Sequence, residues 1–279
     1  KPEGGVPALA AILRNRGEHD DMRRVAAVAM GEYGGRAADV ITPRLMDDTE
    51  RKSVTINVAG RIDEHYVFWE SLLWASRALP LPEALLPRLQ AWLDDEWYPI
   101  HFRRQVPRPL GAVDHARSSE VLAKALEHED PFLRRVAVTA VPQTKDASFI
   151  LKLIAVSKNA TIVEERREVP LALGGLGDPA AVSWLEDALR SDADETVRKH
   201  AAIALGSLSA VDVLARQLTD DTTTRVVLIQ VLNVLKGQGI KANEALPTID
   251  ALRKDYRADV ALAARQAYAA ISAAQSGGA

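Results

Sequence analysis

The stretch from Asp192 to Gly206 reads Asp-Ala-Asp-Glu-Thr-Val-Arg-Lys-His-Ala-Ala-Ile-Ala-Leu-Gly, and its pattern returns along most of the chain. Each copy runs acidic turn, basic pair, helix of small and aliphatic residues, and a closing Gly or its substitute. Arg23-Arg24 leads to Gly31, Arg51-Lys52 to Gly60, Arg103-Arg104 to Gly111, Arg134-Arg135 to Pro142, Arg166-Arg167 to Gly174, and Arg198-Lys199 to Gly206. A weaker copy starts at Arg225, and an Ala-rich helix from Asp259 to Ile271 ends the series. From Gly111 to Gly206 the closing positions lie 31, 32 and 32 residues apart. A period in the range of about 20 to 50 residues means stacked units, each too small to bury its own apolar face.

A length of 279 residues by itself suggests about two domains; the repeats predict one continuous array over 1–279. Aromatic residues make up 5%, so helices must pack through small side chains. A net charge of -3 supplies no global attraction to nucleic acid or anionic lipid. The absence of cysteine excludes disulfides, thiol catalysis and Cys-ligated zinc. No apolar run approaches the roughly 20 residues of a membrane span. The start at Lys1 and the Ser-Gly-Gly-Ala end read as an excised region or a processed chain, cytoplasmic or exported after maturation.

In chain order, helices are expected over 7–15 and 22–33, with Val25, Val28 and Ala29 facing inward. Between Gly60 and Gly111 the interval stretches to 51 residues, which predicts one inserted aromatic helix at 64–79 carrying Tyr66, Phe68, Trp69 and Trp74. Pro107 and Pro109 in the third unit and Pro170 in the fifth fall inside second helices, where proline forces a kink or a late start. From 118 onward the pattern predicts pairs at 118–126 with 132–141, 147–156 with 163–173, 179–189 with 195–208, and 211–218 with 224–235. The last pair is expected at 242–254 and 258–274.

Asp178-Pro179-Ala180-Ala181 through Gly206, and Asp130-Pro131-Phe132-Leu133-Arg134-Arg135-Val136-Ala137, resemble HEAT repeats, specifically the bacterial HEAT-like class of phycobilisome lyases. The resemblance implies an all-α, right-handed α-solenoid of the armadillo-like kind, with about eight helical hairpins and one inserted helix. It also implies a ladder in which the turn Asp of one unit binds the helix Arg of another. Such repeats serve scaffolds, lyase subunits, hydroxylases and DNA glycosylases alike, so fold and function separate here.

Two features are candidates for function. The basic pairs, represented by Arg24, Arg135, Arg167 and Arg198, form either that ladder or an anion-binding stripe. The segment 65–108 holds four of the five tryptophans. Its Trp69, Trp74, Trp97, Tyr98, His101, Arg103, Arg104 and Arg108 are either a partner-binding patch or the filling of the gap that the insertion creates.

No catalytic constellation stands out. Deoxyhypusine hydroxylase, which the array resembles, holds iron through His-Glu pairs, but His200 is followed by Ala201, and Val25, Val136 and Glu168 fill the His slot in other copies. A glycosylase would need a carboxylate such as Glu70 or Asp94 beside Trp69, Trp74 and Trp97. No cofactor or metal is expected. The expected function is a non-enzymatic scaffold that takes a protein or peptide on the face lined by second helices; the alternative partner is nucleic acid, gripped by the Arg pairs.

Overall fold

The computed structural model describes residues 4–15, 17–47, 54–58, 61–65, 67–77, 79–113 and 116–276. They form an all-α repeat fold in two compact units, Lys1–Thr144 and Lys145–Ala279. Each unit contains helical hairpins whose second helices pack one on the next.

In the first unit, α1 (Gly5–Arg14) pairs with α2 (Asp20–Gly31), and α3 (Gly35–Leu45) with α4 (Val67–Ser76). The third hairpin is α5 (Leu86–Asp94) with a second helix broken into α6 (Ile100–Arg103) and α7 (Pro107–Leu110). α8 (Ala116–Leu126) and α9 (Pro131–Ala140) complete the unit. The second-helix row is α2 on α4, α4 on α7, α7 on α9. In the second unit the hairpins are α10 (Phe149–Asn159) with α11 (Val163–Leu176), α12 (Val182–Ser191) with α13 (Glu195–Ser207), α14 (Val211–Gln217) with α15 (Arg225–Gln238), and α16 (Leu246–Leu252) with α17 (Ala258–Ser276). Its row is α11 on α13, α13 on α15, α15 on α17. Among the described residues, no helix is long and apolar enough to cross a membrane.

The closing glycines set how near these second helices come. A Cβ on Gly31 would lie 2.7 Å from the Ala75 carbonyl oxygen, and one on Gly174 would lie 2.7 Å from Ala204 Cα. Gly111 and Gly206 stand in the same way against Ala140 and Val234. A side chain at any of these positions would push neighbouring repeats apart. The left-handed cap of α11 is instead Gly177, at φ 79°, whose N–H donates to the Gly174 carbonyl.

The same contact corrects the reading of the insertion. Ala75 meets Gly31 as Ala204 meets Gly174, so α4 is the second helix of the second hairpin and not an extra element. What is added is a β-hairpin between α3 and α4. β1 (Val54–Val58) and β2 (Arg61–His65) pair antiparallel, with Val54 opposite His65 and Val58 opposite Arg61. The copy expected to run from Arg51-Lys52 to Gly60 is therefore not helical at 54–58; its basic pair and closing Gly lie outside the described residues. Val54, Ile56 and Val58 alternate with Thr55 and Asn57, a period of two with β-branched side chains, which favours a strand.

The proline positions have two outcomes. Pro107 starts a new helical turn after Gln105 and Val106, where its missing N–H costs nothing, and this breaks the second helix of the third hairpin. Pro170 lies within a continuous α11.

Candidate functional site

The basic pairs divide their work by position. In four of the pairs the first arginine closes its own hairpin, whereas Arg166 lies 3.5 Å from Asp192 of the next repeat. Arg23 Nη2 donates to the Leu13 carbonyl at 3.5 Å, Arg103 Nε to Leu93 at 2.9 Å, and Arg134 Nη1 to His128 at 2.7 Å. Arg198 Nη1 likewise donates to the carbonyl of Asp192 at 2.5 Å. The second arginine reaches to another repeat: Arg104 grips Asp130 at 2.9 and 2.6 Å, and Arg167 grips Asp194 at 3.0 and 2.7 Å. Both aspartates are also N-caps, accepting from the N–H of Leu133 and of Val197. Bonds from Arg167 hold the Asp194 carboxyl down to about 2. Burial alone would raise Asp130, yet bonds from Arg104 and Leu133 keep it below the usual carboxylate range. Arg24 lies 3.4 Å from Asp21 in its own helix. Arg135 is half-buried near Arg108 in the first unit.

The aromatic segment also divides. Trp69 from α4, 2% exposed, stacks at 5.0 Å on Trp92 from α5 and 6.1 Å from Phe102 of α6. Buried Tyr98 adds a fourth ring, 5.2 Å from Phe102. This stack fills the volume beside a second helix that is only four residues long before its break. Trp69 and Tyr98 are therefore core residues here; neither presents the exposed face that a partner patch needs. Arg103 and Arg104 are held by Leu93 and Asp130 as described. His101 Nε2 sits 3.8 Å from Glu70 Oε1. Trp69 is turned into the core, so it does not line an open pocket beside Glu70 or Asp94.

Two tryptophans remain outside the core. Trp97, 64% exposed, lies in the turn between α5 and α6 against Tyr98. Trp74, 38% exposed, is held between two guanidinium groups, Arg77 and Arg108, each 4.5 Å from its ring. Arg77 also donates to the Trp74 carbonyl at 2.9 Å and pairs with Glu32 at 3.4 Å. Arg108 Nε donates to the neutral amide of Gln105 at 2.7 Å, and among the described residues no carboxylate pairs with it. Burial first, and then the nearby charges of Arg77 and Arg135, pull its pKa down to about 10.

The repeat register explains why Trp74 and Arg108 meet. Val28, Arg108 and Ile203 each fall three residues before a closing glycine. Trp74 and Thr139 each fall one residue before the alanine that receives such a glycine, as Ile203 also does. Val28, Trp74, Arg108 and Thr139 thus occupy one slot on successive second helices of the first unit. On α2, the expectation that Val25 and Val28 face inward is not met. Arg23, Ala26, Ala27 and Met30 are buried, because Gly31 must meet Ala75, and this turns Met22, Val25 and Val28 outward. The outward strip is the part of the surface that periodicity alone missed. The signal that locates it is the glycine, which fixes the rotation of α2.

Among the described residues, no group of three or more His, Asp or Glu side chains is placed to hold a metal. His200 Nδ1 lies 2.7 Å from the Arg167 carbonyl, bonded to backbone.

A family model described as HEAT repeats matches residues 120–206 and, overlapping, 150–233. None of the curated proteins matches the sequence. In structure, the chain is similar to the complex of CpcE and CpcF of phycocyanin lyase from Nostoc sp., with a TM-score of 0.55 and 15% identity over 90% of this chain and 96% of that one. It is similar to YibA of Escherichia coli, with a TM-score of 0.50 and 14% identity over 95% and 92%. Human deoxyhypusine hydroxylase aligns with a TM-score of 0.39 and 17% identity over 96% of each chain. At such identities the likeness concerns the fold alone.

Proposed function

We propose that this HEAT-repeat protein is a non-enzymatic scaffold, and that it binds another protein through the second-helix face of its first unit. The observation that carries the reading is the outward strip on α2, where Met22, Val25 and Val28 expose 50%, 58% and 39% of their surface. Three apolar side chains at a spacing of three form a continuous stripe on one helix face, beside the exposed indole of Trp74 on the adjacent α4. Apolar surface of this kind, rimmed by Arg24, Glu32 and Arg77, is what protein interfaces use as an anchor. The phycocyanin lyase likeness is to a complex of two chains, which suits an array that works by association.

The nucleic-acid alternative draws less support. A phosphate-tracking stripe needs several guanidinium groups without acidic partners, whereas Arg104 and Arg167 each hold a bidentate aspartate. The test is affinity capture from a nuclease-treated lysate of the source organism, with the wild type and with Val25→Asp, an exposed change that leaves the core intact. A protein retained by the wild type and lost with Val25→Asp is the expected result. Equal recovery by both, or loss of all binding on nuclease treatment, would overturn the proposal.

A further inference from the structure

The repeat slot described above holds Val28 on α2, Trp74 on α4, Arg108 on α7 and Thr139 on α9. An aliphatic, an indole, a guanidinium and a hydroxyl therefore follow one another along a single row. In the second unit the same slot is filled by Leu171, Ile203 and Asn233, none of them charged. Burying part of an arginine without a counter-charge is unfavourable, and nothing in the packing of α7 requires that residue to be charged. Its guanidinium lies 4.5 Å from the centre of the Trp74 ring, a ring that Arg77 already contacts at the same distance.

We propose that Arg108, set on Trp74 with Arg77 on the same ring, is a clamp for a carboxylate of an acidic protein segment, whose adjoining apolar residues lie along Met22, Val25 and Val28. This rests on the reading that the second-helix face of the first unit binds protein. Three observations select the occupant. Arg108 presents its guanidinium beside a second cation, with Gln105 as its neutral acceptor and no carboxylate paired to it among the described residues. Its depressed pKa, about 10, agrees with a charge held where an anion would relieve it. Arg77, on the same indole, already holds a carboxylate from Glu32 at 3.4 Å, so one positive charge is balanced within the fold. The fork geometry of arginine suits a two-oxygen acceptor, and a guanidinium already packed on an aromatic face loses little side-chain freedom on binding.

The test is selection of a 12-residue phage-displayed peptide library on the intact chain. It is followed by fluorescence anisotropy of the consensus peptide, its Asp→Asn or Glu→Gln counterpart, and a phosphoserine counterpart. We expect Asp or Glu next to apolar residues in the consensus, and at least tenfold weaker binding of the amide peptide to the wild type. With Arg108→Gln, acidic and amide peptides should bind alike. The amide peptide leaves the protein untouched, so its result stands even if Arg108→Gln were to fold poorly. A consensus without acidic residues, or an amide peptide that binds as well as the acid, would overturn the clamp while leaving a peptide-binding face in place if Val25→Asp abolishes binding. A phosphoserine peptide binding tenfold tighter than the acidic one would replace the carboxylate by a phosphate. Failure to select any peptide would overturn both the clamp and the binding face.

Discussion

The second unit keeps to the repeat pattern, and the first departs from it in three places. In the second unit the second helices are continuous, the outward slot carries no charge, and Arg167 is matched by Asp194. In the first, a β-hairpin separates α3 from α4, proline breaks the second helix of the third hairpin, and the slot carries Trp74 and Arg108. The difference teaches that charge in such an array has two uses. Arg104 and Arg167 join repeats and are matched by aspartates, whereas Arg108 has no such match among the described residues, and it sits where the pattern is most irregular. A regular repeat satisfies itself; an irregular one leaves groups for something else to satisfy.

The comparison can be broken at its most apolar point. Phe102→Ala removes a fully buried ring that touches Trp69, Trp92 and Tyr98. A loss of about 3–5 kcal/mol is expected in urea unfolding followed by tryptophan fluorescence. A cost under about 1 kcal/mol would mean that the stack fills no gap.

The regular unit is tested through its glycines. Gly174→Val should cost about 2–3 kcal/mol by thermal unfolding, because the new side chain meets backbone of α13 that cannot turn away. Gly237→Ala is the control: nothing lies within 4 Å of its Cβ, and the change should stabilise by about 0.5–1 kcal/mol. Equal effects at the two sites would show that close approach does not set the repeat spacing.

Asp194→Ala removes an N-cap as well as the partner of Arg167, and about 1–2 kcal/mol is expected from the cap. The acid titration of stability sharpens the same point. Asp130 and Asp194 have folded-state values below the unfolded value of about 3.9. Their contribution is therefore fully present above that pH, and it is lost as pH falls toward the folded value of about 2 for Asp194. His128 is lowered by burial and by Arg103, so the unfolded chain takes up the proton more readily and a smaller loss begins below about pH 6.5. In Asp194→Ala the step between about pH 4 and 2 should shrink. An unchanged step would place the acid sensitivity elsewhere.

Much of the fold is legible in the residues. The closing positions from Gly111 to Gly206, with Asp130 and Asp194 at two of the starts, predict helices at 132–141, 163–173 and 195–208, and the structure has Pro131–Ala140, Val163–Leu176 and Glu195–Ser207. There the pattern is local: a period of 3.6 and a stop lie within one helix, and in two of the three a cap does as well. The hairpin at 54–65 is hidden because Arg51-Lys52 and Gly60 imitate the landmarks of a copy while the residues between them alternate with a period of two. The Arg108 clamp is hidden for another reason. Trp74 and Arg108 are 34 residues apart, and their meeting depends on how α4 and α7 are rotated against each other. Helix rotation follows from which residue is allowed to touch a neighbouring backbone. Read as closing residues, Gly31 and Gly111 mark only where helices stop; read as contact residues, they orient Val28 and Arg108. The buried stack is the intermediate case, since the sequence gathers the aromatics but a single chain position cannot say which ring faces inward.

The most direct test is to compare Arg167→Gln with Arg108→Gln in two assays on the same preparations, the urea midpoint of unfolding and binding of the selected acidic peptide. If charge has the two uses described, Arg167→Gln lowers the midpoint and leaves peptide binding unchanged, while Arg108→Gln keeps or raises the midpoint and weakens binding at least tenfold. If both variants move the same assay in the same way, the arginines of the two regions do one job, and the distinction between ladder and clamp is wrong.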